Sequence, residues 1–143
     1  MEKKLVLLSV LLGFFLSLNA QKVDLKKGYV LIDKVEMYSY EKEQMGNMTL
    51  VYKKDTKDLL FSILFHSNGT VGYSNDDYLK LYFTQDNTVI ETTQLAGIWP
   101  AGLIERFIKR GVINAADGSI NPENLKSFAA QYDEKISSRL IIR

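Results

Sequence analysis

A chain of 143 residues with 18 Lys and Arg against 17 Asp and Glu carries a formal charge of +1, so no bulk field draws it to nucleic acid or an anionic membrane. It has no cysteine, which excludes a disulfide framework, a thiol nucleophile and a cysteine-ligated zinc site. Its length suits one domain with a core of its own.

The chain opens on Met1-Glu2-Lys3-Lys4, continues with an apolar run over residues 5–18 broken by Ser9, Gly13 and Ser17, and then reaches Asn19 and Ala20. A basic end, a short apolar stretch and a small residue form the pattern of a secretory leader cut before Gln21. The run of 14 residues falls short of the about 20 that a membrane span requires. The expectation is therefore a leader over residues 1–20 and a single α+β domain over 21–143, periplasmic or secreted, with no transmembrane span after cleavage. Cleavage removes two lysines and one glutamate and leaves 123 residues with 16 basic and 16 acidic side chains. In a neutral domain the pairs Lys26-Lys27 and Lys53-Lys54 read as solvated charge.

After a polar lead over residues 21–27, the stretch 28–40 is rich in Tyr, Val and Ile, and Asp33-Lys34 is its turn-like pair. It predicts a hairpin or one long bent strand. Met48–Lys53 alternates with the period of a half-buried strand, and residues 54–58 form a polar turn. Residues 59–65 are apolar on both faces, with Leu59, Phe61, Ile63 and Phe65 on one side and Leu60 and Leu64 flanking Ser62 on the other. Such a strand belongs inside a sheet that is covered on both faces. Ser67-Asn68-Gly69 signals a tight turn into a short strand that ends in a second turn over residues 74–77. Leu79, Leu81 and Phe83 then alternate with Tyr78, Lys80 and Tyr82; a turn around residues 85–87 leads to a β-branched stretch over 88–94. The sum is an antiparallel meander of about five or six strands.

The period changes at Trp99-Pro100. Leu103, Ile104, Phe107 and Ile108 recur at helical spacing, with Pro100 fitting the first turn and Gly111 the position past the end. A second helix starts at Asn121-Pro122-Glu123 and carries Leu125, Phe128, Ala129 and Tyr132 as its apolar stripe. Both helices should pack on one face of the sheet. Residues 139–142 fit an edge strand or a frayed tail equally.

Few residues suggest chemistry. His66 is the sole histidine, and the serines near it, Ser62, Ser67 and Ser74, lack a nucleophile elbow, although Asp76 and Asp77 could complete a triad on paper. It reads as a residue at the mouth of a hairpin. Asp117-Gly118-Ser119-Ile120 has the look of an EF-hand loop centre, but the frame puts Ile113, Ala115 and Asn124 where oxygen ligands are needed. No metal ligand, cofactor-binding residue or catalytic residue is assigned. Asn47-Met48-Thr49 and Asn68-Gly69-Thr70 match the glycosylation triplet. Trp99, at the junction of sheet and helix, is expected to be a core anchor beneath the first helix. Tyr38 and Tyr40 share one strand face, as do Tyr78 and Tyr82, and each pair is expected opposite the more apolar face of its strand. Those four tyrosines are the candidate contacts for a ligand or partner; the other reading makes them ordinary strand formers under the helices or cross-strand neighbours.

The Ala20-Gln21 junction, the early Lys27-Gly28-Tyr29-Val30 strand, the tyrosine-rich meander, and the ending with Asn121-Pro122-Glu123 and the residues from Phe128 to Tyr132 together resemble small uncharacterised exported α+β proteins of Bacteroidetes-type bacteria. The resemblance implies a β-sheet followed by a helical pair in a periplasmic or secreted setting, and carries over no catalytic residue. The expected function is an envelope binding or interaction module without catalysis or cofactor, using an exposed sheet face or edge, with an envelope protein or glycan as partner and no nucleic acid. A small hydrolase acting on an envelope polymer or small molecule, and a structural or assembly protein of the envelope, are the alternatives.

Overall fold

A computed structural model describes residues 21–67 and 76–140. The leader expected over residues 1–20, the Asn68-Gly69 turn with the short strand expected after it, the Asn68 triplet and residues 141–142 lie outside the described residues. Among the described residues seven strands, β1 (Val23–Lys26), β2 (Tyr29–Ile32), β3 (Val35–Glu43), β4 (Met48–Lys53), β5 (Leu59–His66), β6 (Tyr78–Phe83) and β7 (Thr88–Thr92), form one sheet in sequence order. Every neighbouring pair is antiparallel. The helices α1 (Pro100–Lys109), α2 (Pro122–Tyr132) and α3 (Ile136–Leu140) follow. The fold is α+β, an antiparallel meander with C-terminal helices, as the periodicities predict. No helix among the described residues is long and apolar enough to cross a membrane.

The strand count exceeds the expected five or six at the N-terminus. Asp33 and Lys34 both take left-handed backbone, with φ of 49° and 69°, the twist that a two-residue hairpin loop needs. The stretch 28–40 is thus a hairpin, β2 with β3. The lead over residues 21–27 also holds a strand. In β1, Val23 and Leu25 face the core while Asp24 and Lys26 face away, and four residues are too few to show that alternation against a polar background.

β5 runs between β4 and β6, as its two apolar faces require. Phe61 and Ile63 are buried on one face, and Ser62 is buried on the other. The first of those faces receives α1 and α2. α1 buries Leu103, Ile104 and Phe107, and α2 buries Leu125, Phe128 and Tyr132. The Asn121 side chain caps α2 by accepting from the Asn124 N–H at 3.0 Å. Six aromatic rings connect the layers: Phe107 of α1 stands edge-on to Phe61, Phe83 and Phe128, at centroid distances of 5.9, 5.4 and 5.4 Å. Tyr38 and Tyr132 continue the chain at either end.

At each sheet edge a carboxylate accepts a strand N–H. Glu105 of α1 accepts the Val23 N–H at 3.1 Å on β1, and Asp133 accepts the Glu91 N–H at 3.1 Å on β7. Beyond β7 the chain crosses to the opposite face of the sheet as α3. There the Glu91 carboxylate, 3 % exposed, accepts the Ser137 N–H at 2.7 Å and pairs with Lys80 at 3.3 Å. Burial works to raise the Glu91 pKa, yet the Ser137 and Lys80 contacts outweigh it and hold the group below the ordinary glutamate value. Arg139, left open between strand and tail, lies in this last helix.

Phe107→Ala should cost about 3–5 kcal/mol of unfolding free energy, because it opens a cavity among three rings that cannot all collapse into it. Denaturant titration checks this, and a midpoint close to the parent's would show that α1 is not locked to the sheet.

Candidate functional site

Strand alternation divides the four candidate tyrosines between opposite faces. Tyr38 and Tyr40 lie on the core face of β3, with Tyr38 2 % exposed and Tyr40 half-buried against the core. This corrects the expectation that they stand opposite the apolar face. The cause lies on neighbouring strands, since Tyr38 pairs with Val30 of β2 and its ring meets Phe61. The Tyr38 hydroxyl donates to the Gly118 carbonyl at 2.6 Å. Burial, and behind it the charge of Asp117, push that hydroxyl far above the usual phenol range. Tyr78 and Tyr82 occupy the other face. Tyr78 is 4 % exposed and stacks on His66 at 4.7 Å, and the half-buried Tyr82 donates to Asn87 at 3.0 Å. Tyr38 and Tyr78 are therefore structural, and no pair forms a free platform.

The other sequence candidates separate in the same way. Ser62 and His66 share a strand face but are four residues apart, about 13 Å at 3.3 Å per residue, too far for a proton transfer between them. Asp117 accepts from both the N–H and the hydroxyl of Ser119, at 2.9 and 2.7 Å, which is a turn and not a ligand set. Gly118 has φ of 72°, and a Cβ there would lie 2.8 Å from the Met37 side chain. Among the described residues no group of three or more His, Cys, Asp or Glu could hold a metal ion.

Trp99 is the main correction. The expected core anchor is 81 % exposed. Pro100 starts α1, which makes Trp99 the cap residue, and its extended backbone (φ −64°, ψ 154°) carries the indole off the helical path before the apolar stripe begins. Leu95 and Ile98 fill the place beneath the helix instead.

The exposed indole stands on the rim of a half-open cleft of about 310 Å³. The cleft forms because α1 starts at Pro100 and the core face of the sheet runs on past the helix end. Its floor is Thr49, Ile63, Phe65 and Leu79, from the adjacent strands β4, β5 and β6. One wall is Gly46-Asn47 at the β3–β4 turn, and the other is the loop leading to Trp99. Gly97 turns that second wall with φ of 89°, a conformation that side chains with a Cβ resist. No residue forming the cleft is charged. Beside the first wall Met45 is 103 % exposed and takes left-handed backbone at φ 58°, which costs a non-glycine residue about 1–2 kcal/mol. Of four large apolar side chains exposed among the described residues, Trp99 lines this cleft. Asn47, in the first glycosylation triplet, is part of the wall, while Thr49 of that triplet is buried in the floor.

Tyr38→Phe should cost about 1–3 kcal/mol by leaving the Gly118 carbonyl unpaired, and Tyr38→Ala about 3–5 kcal/mol; unchanged denaturant midpoints in both would return Tyr38 to the surface. Trp99→Ala should move stability by no more than about 0.5 kcal/mol. As the sole tryptophan, Trp99 should also be fully open to acrylamide quenching in the folded protein, and a shielded indole would contradict the cleft geometry.

A scan against protein-family models and searches of characterised proteins and of solved structures find no match to this chain, so its function is read from the cleft itself.

Proposed function

We propose that this protein is an exported binding module of the cell envelope, without catalytic activity, that holds an apolar ligand in the cleft beside Trp99. The observation that carries the reading is the indole, 81 % exposed over a floor of Ile63, Phe65 and Leu79. Leaving a large apolar ring and an adjoining apolar surface in water forgoes roughly 25 cal/mol per Å² of burial, which a bound apolar group would recover. An uncharged, mostly apolar concavity at the end of a helix layer, with few polar groups to orient a ligand, is the usual form of a small-molecule site. The export half of the proposal rests on the leader pattern of Lys3-Lys4 and the apolar run over residues 5–18. The resemblance to exported proteins of Bacteroidetes-type bacteria points to the same compartment.

An uncharged solvatochromic dye such as Nile red provides the test. The parent protein should enhance its emission saturably. Trp99→Ala should weaken binding about tenfold, and Leu79→Trp, which fills the floor, should abolish it with α1 still folded by circular dichroism. Binding that is indifferent to both substitutions would overturn the proposal.

A further inference from the structure

The cleft is uncharged, yet its β3 side has a positive border. Lys42 is paired in register with Thr49 of the floor. Directly opposed residues of an antiparallel pair share a face, with Cβ atoms about 5 Å apart, so the Lys42 stem rises from the core face beside the cleft mouth. Lys27, in the β1–β2 turn, stands at the same end of the sheet: the Gly28 carbonyl accepts the Tyr40 N–H at 2.8 Å, two residues before Lys42. Both lysines are exposed. Among the described residues neither forms an ion pair.

At that end Asp77 lies two residues before Leu79 of the floor, with its Oδ1 buried and without a hydrogen-bond partner among the described residues; Glu43 and Glu134 are turned elsewhere. Glu43 follows Lys42 on β3 and so projects from the other face. Glu134, beyond the far wall, is engaged by the Thr93 hydroxyl at 3.0 Å. The ammonium of Lys42 is the cation nearest the floor by register.

Resting on the cleft reading above, we propose that the ligand is a single-chain anionic amphiphile, its apolar chain lying on Ile63, Phe65 and Leu79 and its carboxylate or phosphate head meeting Lys42. The size agrees. At roughly 30 Å³ for each methylene-sized unit, the share of one water in the liquid, a cleft of about 310 Å³ takes a chain of about ten carbons. A monomeric chain fits this volume, and a bilayer does not enter it. The neutral floor has nothing to offset the desolvation of a head group, so the head must stay at the border, where the lysines are.

The test titrates decanoate, decanol and decyltrimethylammonium, each below its micelle concentration, and phosphatidylglycerol vesicles. Trp99 emission and calorimetry are the readouts, on the domain beginning at Gln21. Decanoate should bind about tenfold more tightly than decanol, and the cationic amphiphile more weakly than either. Lys42→Gln should remove most of the decanoate advantage and leave decanol unchanged, and salt should weaken decanoate alone. Equal binding of decanoate and decanol, indifferent to Lys42→Gln, would overturn the amphiphile proposal and leave the apolar cleft standing. Absence of binding by all three chains would overturn both. Binding to vesicles without binding to decanoate would overturn the monomeric ligand in favour of a membrane surface.

Discussion

The contact on which the rest of the molecule depends is the Phe107 ring wedged against Phe61, Phe83 and Phe128. Without disulfides, a domain of this size must derive its rigidity from buried area. The ring cluster concentrates that area where three elements meet. Edge-to-face geometry brings positive ring edges toward negative ring faces, adding directionality to plain burial. It also sets the position of α1 along the sheet, because Phe107 has one place among the rings, and the helix extends back from there to Pro100. The edge of the helix layer, and with it the cleft, follows from that anchoring.

The sheet edges obey the same economy of means. A seven-stranded meander exposes two edge strands, and unpaired edge N–H groups invite pairing with other chains. Here the helix layer supplies its own acceptors, Glu105 to β1 and Asp133 to β7. The Glu134 N–H also donates to the Glu91 carbonyl of β7 at 2.8 Å.

Two features at the cleft run against stability. Met45 holds left-handed backbone where glycine or asparagine would be at ease, and Trp99 leaves a large apolar ring in water. Local violations of this kind collect where a protein has work other than folding. Trp99 lines the concavity itself, and Met45 adjoins its Gly46 wall in the chain.

Residue order alone determined the elements whose signal is local. The two helices were legible from Pro100 and Asn121-Pro122 and from stripes of period near 3.6, and β5 from its two apolar faces, because those patterns are set by neighbours within a few residues. The short β1 was hidden, since two apolar residues in four carry no periodicity. The tertiary structure decided which face each tyrosine met, because a side chain's burial depends on the strand beside it and the helix above it. It also decided the site. Where α1 ends relative to the sheet is fixed by contacts between Phe107 and rings 24 to 46 residues earlier in the chain, and no local reading of Trp99-Pro100 contains that distance.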